Sequence, residues 1–189
     1  LFEENFEGTG YDSGITPVTS GTGIDPDYDT SPLRGDQSLR ILNVSASSSV
    51  TWTLPQAQGE LYGFARIERA EGGSDHKIIN LLDASDNLLL QIKWQDNERI
   101  NLYNGAGVAY GNVNLSRDTP YFVYFYYNIS GNYSATLYTS VAKSNPVDTI
   151  IGTDGTSRAN AAKISVEAAY SGFVWDQIIL DTSDFTAEN

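Results

Sequence analysis

The chain has 189 residues, enough for one domain that buries roughly 70% of the surface its unfolded form exposes, and with no cysteine and one histidine it leaves no disulfide or thiolate metal site and little ground for zinc. Twenty-four acidic against eleven basic residues give a formal net charge of −13, which opposes binding to nucleic acid or to an anionic membrane surface. No apolar run approaches the ~20 residues of a membrane span, and the absence of methionine, at position 1 included, reads as a processed or excised piece of a longer product.

Twelve tyrosines, seven phenylalanines and 17 glycines, in short runs that alternate apolar and polar residues, specify strands rather than helices. In chain order the period-2 segments fall near residues 2–7, 38–44, 49–54, 60–68, 77–83, 87–95, 99–103, 107–115, 120–129, 132–139, 163–170 and 173–180. Between the first two lies a stretch from Gly8 to Gln37 with six glycines and three prolines and no clear period, expected to cover a sheet edge or face with at most a short strand inside it. The polar loops Asp83–Asn87, Asp96–Glu98 and Ser130–Asn132 have hairpin chemistry, and a milder loop runs from Ser144 to Asn160. About a dozen strands joined this way make a two-sheet antiparallel β-sandwich, a single domain over 1–181 with residues 182–189 as tail or linker.

Strand parity separates candidate surfaces. In "LLLQIKWQ", Leu88, Leu90, Ile92 and Trp94 are assigned to the core, leaving Gln91 and Lys93 outward; on "RINLY" the outward set is Arg99, Asn101 and Tyr103. Both sides of "YFVYFYYNI" are aromatic, so Tyr124 and Tyr126 can face outward. These seven residues form a candidate oligosaccharide surface on a concave sheet, because a pyranose has an apolar face that stacks on aromatic rings and a polar rim that takes amides and charges. The competing reading is that sheet tyrosines serve β-propensity and cross-strand packing. Trp52 and Trp175 are assigned to the core.

The same counting places Asp176 in an apolar row with Val174, Ile178 and Leu180. A buried carboxylate needs a cation or hydrogen-bond donors, and no Arg or Lys is adjacent in sequence. The acids of "DPDYD", Asp25 to Asp29, echo the start of a calcium loop without its glycine and distal glutamate, and read as a solvated acidic loop. His76 lies in a glycine-bearing loop; the run Ser74–Asp75–His76 is no triad, because triad members meet through the fold.

Four segments taken together, "FEENFEGTGYD", "LRGDQSLRI", "INLLDASDNLLLQIKWQDNERINLYNG" and "GFVWDQIILD", resemble the concanavalin A-like (laminin-G-like) jelly roll of lectins, glucanases and carbohydrate-binding modules. The resemblance implies a structural calcium joining the first and last strands, with Glu7 and Asp176 as ligands and Asp36 or nearby carbonyls completing the shell. Catalysis is not expected. The "E-x-D-x-E" spacing of retaining glucanases does not occur, and "ARIERA" only partly echoes the "R-x-E-x-R" strand of lyases. The expectation is therefore a non-catalytic carbohydrate-binding or adhesion module, extracellular or on a virion surface, with a glycan as partner. The alternative is a structural domain that decorates a phage particle, with coat proteins as partners.

Overall fold

The computed structural model describes residues 2–7, 10–11, 13–29, 33, 37–69 and 76–185, and the side chains of these except 43–46, 76 and 169–171. Among them are thirteen strands and no helix: β1 (Phe2–Glu4), β2 (Val18–Ser20), β3 (Ile24–Tyr28), β4 (Ser38–Gln58), β5 (Glu60–Arg69), β6 (His76–Leu82), β7 (Leu88–Trp94), β8 (Ile100–Tyr103), β9 (Val108–Tyr110), β10 (Tyr121–Asn128), β11 (Asn132–Tyr138), β12 (Asp148–Thr153) and β13 (Ala161–Asp181). All pairings are antiparallel, and they build a sandwich. The front layer runs β2-β4-β13-β6-β7-β8-β9 and the back layer β3-β4-β13-β5-β10-β11-β12, with β1 added on the end of β13.

Two long strands belong to both layers. Lys163–Ser165 of β13 pair with β4 and β6 in front, whereas Phe173–Trp175 pair with β4 and β5 behind. The sequence reading divides each of these strands into two, at 45–48 and at 171–172. The backbone instead continues through both places, because "SASSS" holds no glycine or proline to break the strand and the irregularity between Ala169 and Ser171 is absorbed as a shift of register.

The stretch from Gly8 to Gln37 contains two strands, β2 and β3, both paired to the edge of β4. The loop Ser144–Asn160 contains β12, an edge strand on β11. Short edge strands need only one partner and carry little apolar alternation, so their sequences look like loops.

Between the layers lies one core in which Trp52, Trp94 and Trp175 are fully buried. Phe2, Phe6 and Tyr11 surround Trp52 at ring distances of 5.9, 6.3 and 5.7 Å. The Trp175 indole N–H donates to the Ile78 carbonyl at 2.9 Å, so the ring is buried with its polar atom satisfied. Filling such a volume stabilises strongly; truncating one of these tryptophans to alanine costs about 3–5 kcal/mol.

Two parity assignments are corrected. Gln177 has a left-handed φ of 48° and the β13–β5 register slips between Asp176 and Ile179, so the alternation inverts there. Phe173, Trp175, Ile178 and Leu180 face the core, and Asp176 shares the outer side with its neighbour Arg66, not a row with Ile178 and Leu180. Likewise a slip between Leu81 and Leu82 pairs Leu82 with Leu88, and Leu88 leaves the core for the front surface while Leu89 enters it.

Candidate functional site

Directly opposed residues of antiparallel strands project from one face. The register therefore aligns Val18, Thr51, Ser165, Asn80, Gln91, Tyr103 and Val108 across the seven strands of the front layer. At about 4.8 Å per strand this row extends roughly 29 Å. Its middle is polar and internally bonded. Thr51 Oγ1 donates to Ser165 Oγ at 2.9 Å, and Gln91 Nε2 donates to Asn80 Oδ1 at 2.8 Å.

A parallel row carries charge. Lys77 pairs with Glu167 at 3.1 Å, Lys93 lies opposite Lys77 and sits 5.5 Å over the Tyr103 ring, and the Tyr103 hydroxyl accepts Gln95 Nε2 at 2.7 Å. Two adjoining hollows of about 390 and 330 Å³ share Leu88 and Gln91 as a common wall. Apolar Leu88 and the Tyr103 ring among hydroxyls and amides give the mixture a sugar ring requires.

Of the seven predicted ligand residues, Gln91, Lys93 and Tyr103 meet here. Asn101 lies on the same face beneath them, 1% exposed, its Oδ1 accepting the Gly111 N–H at 3.2 Å while its Nδ2 finds no partner among the described groups. Arg99 stands at the rim and donates to Asn114 Oδ1 at 2.8 Å. Tyr124 and Tyr126 are elsewhere: they belong to β10, on the outer face of the back layer, so the seven do not form one surface. The front-face residues absent from the sequence reading are Thr51, Asn80, Ser165, Lys77 and Glu167. Their alternation is visible in "KISVE", but only the register sets them beside Gln91.

The expected calcium ligands differ in placement. Asp176 is fully buried and faces Arg66, its cross-strand neighbour, with Oδ2 3.9 Å from Nη1. Glu7 is exposed, and Asp36 lies outside the described residues. Among the described residues no three carboxylate or histidine side chains gather as a metal site would require. Asp176 has the Arg66 guanidinium as a charged neighbour. The "DPDYD" acids do not form the expected solvated loop: Asp25 and Asp27 lie on β3, where Asp25 pairs with Arg40 of β4 at 3.8 Å and Asp27 accepts the Gly10 N–H.

The groups nearest to catalytic chemistry are dispersed. Burial, and then the nearby Asp118 charge, push the Glu68 carboxyl up, against the pull of Arg66. Arg69, the second arginine of the partial lyase echo, is buried within the sandwich and bound to Glu98 at 2.9 Å and to the Gln95 carbonyl at 3.0 Å. His76 begins β6 opposite Trp94, and its side chain lies outside the described set.

No family model and no curated protein matches the sequence. Solved structures match its fold. The VIP36 exoplasmic/lumenal domain in its Ca2+-bound form superposes with a TM-score of 0.63 at 12% identity, over 97% of this chain and 90% of that one. The T. cruzi calreticulin globular domain gives 0.61 at 10% identity, over 96% and 87%. Trypanosoma rangeli sialidase in complex with sialic acid gives 0.64 at 11% identity, over 98% of this chain but 31% of the sialidase, and a further sialidase is covered over only 19% of its length. Identities this low bear on the fold alone, and the fold they define is the concanavalin A-like β-sandwich.

Proposed function

We propose that this chain is a non-catalytic carbohydrate-binding or adhesion module, acting outside the cell, that takes a glycan along the outer face of its front layer. One observation carries the reading: the aligned row Thr51, Ser165, Asn80, Gln91 and Tyr103, with Lys93 and Leu88 beside it and hollows of about 390 and 330 Å³ along it. Tyr103 supplies the ring face, and Gln91, Asn80 and Lys93 the hydrogen bonds to hydroxyls. The sialic acid complex among the structural neighbours supports a sugar partner, although it concerns a protein three times as long. A glycan array tests the proposal: saturable binding that Tyr103→Ala and Gln91→Ala each weaken at least tenfold is expected. Array silence, with stoichiometric recovery of the chain on virion coat proteins, would replace it with the decorating role.

Calcium at Glu7, Asp36 and Asp176 is a separate proposal. The Ca2+-bound form of VIP36 supports it, and the counter-charge of Arg66 at Asp176 opposes it.

A further inference from the structure

The outer face of the back layer carries a hollow of about 220 Å³ that belongs to neither the front-layer row nor the Asp176 end. Pockets for drug-sized ligands measure roughly 300–1,000 Å³, so this smaller one suits a single ring. Its aromatic side is the pair Tyr62 and Tyr126, opposed across β5 and β10 with ring centroids 4.9 Å apart. The Tyr126 hydroxyl donates to Glu60 Oε1 at 2.8 Å and accepts from Asn128 Nδ2 at 2.7 Å, which fixes the ring. Ser134 and Thr136 of β11 also line the hollow.

Its charged side is made by two segments outside the sheet. Lys143 Nζ lies 4.4 Å over the Tyr124 ring and 2.7 Å from Oδ1 of Asp184. Asp184 belongs to the C-terminal segment after β13, where Phe185 anchors against Tyr124 at 6.5 Å, and its side chain is 72% exposed. The segment read from sequence as a tail therefore contributes a wall.

We infer that this hollow is a second saccharide site, for one neutral pyranose, completed by Asp184 of the C-terminal segment. The apolar face of the sugar lies on Tyr62 and Tyr126. The ion pair spans a vicinal diol: one hydroxyl donates to the Asp184 carboxylate and its neighbour accepts from the Lys143 ammonium. A neutral sugar fits better than an acidic one, because Asp184 already matches the Lys143 charge and the chain carries −13 overall. This site does not depend on the front-layer proposal.

Residue-resolved NMR titration with methyl glycosides of glucose, galactose and mannose, and with glucuronate for comparison, tests it. Saturable shifts of the Tyr62, Ser134, Thr136 and Lys143 amides are expected with at least one neutral glycoside, and weaker ones with glucuronate. Asp184→Ala, at an exposed position that folding does not need, should weaken that binding at least tenfold, as should ending the chain after Asp181. If none of these amides moves up to the solubility limit of the glycosides, if glucuronate binds tighter, or if either variant binds as well or better, the site is overturned. The Gln91 and Tyr103 amides report the front-layer surface in the same spectra, so failure of one site is distinguished from failure of the other.

Discussion

Asp154 shows how a single carboxylate can hold two loops. It binds Arg158, accepts the Thr156 N–H at 2.9 Å and takes Asn104 Nδ2 at 2.6 Å, tying the segment after β12 to the turn after β8. The Arg158 hydrogen bond foremost, then the Thr156 N–H, pull its pKa from 3.8 down to about 2. Because the folded value lies below the unfolded one, its stabilisation is present above about pH 4 and is lost as pH falls through 2. Asp154→Asn keeps a hydrogen-bonding side chain in this part-buried cluster, so it should lower Tm by about 2–4 °C at pH 7, with the gap to wild type closing near pH 2 in thermal melts. Asp176 is the buried counterpart. If the Arg66 guanidinium is its counter-charge, Arg66→Met leaves the carboxylate enclosed without that cation and should cost about 3 kcal/mol in urea unfolding, with the wild-type Tm unchanged by EDTA. A melt lowered several degrees by EDTA, with Arg66→Met mild, assigns the counter-charge to calcium instead. Asp176 was legible in sequence as a buried acid needing a partner; Arg66, 110 positions earlier, was not, since only pairing of β5 with β13 brings it there.

At the scale of elements, register decides more than propensity. Gly63 lies opposite Phe125, and a Cβ at Gly63 would come within 2.0 Å of that ring, so the phenylalanine occupies the space the glycine leaves. Gly63→Ala must push the ring off β5 and should cost about 2 kcal/mol, read as a lower urea midpoint at unchanged m-value. The hairpin strands β6, β7, β8, β10 and β11 were readable because each has a β-prone apolar run and a polar turn beside it. Strands β2, β3 and β12 were not, since "VTS", "IDPDY" and "DTIIGT" owe their extension to a neighbour's free edge. The bulge at Gln177 also escaped: nothing in "WDQII" announces a left-handed glutamine, and one such residue turns every later side chain of the strand to the other face.

For the whole molecule, the charge of −13 sets a condition on any partner. A neutral glycan feels little of that field, so its Kd should change less than about twofold when salt rises tenfold, whereas a basic protein partner should weaken by an order of magnitude or more. Isothermal titration at low and high salt separates the two. The sequence by itself determined an all-β sandwich, a tryptophan-filled interior and the outward Gln91, Lys93 and Tyr103, because alternation is local and burial of apolar side chains dominates the energetics. Tertiary structure alone decided which strands stand side by side. It separated Tyr124 and Tyr126 from Gln91 onto opposite layers, set Asn80 and Ser165 beside Gln91, and brought Arg66 to Asp176 and Asp184 to Lys143. The physical reason is that a period of two tells which face a side chain takes within its strand, while the neighbours on that face are set by pairing between distant segments, which alternation does not encode.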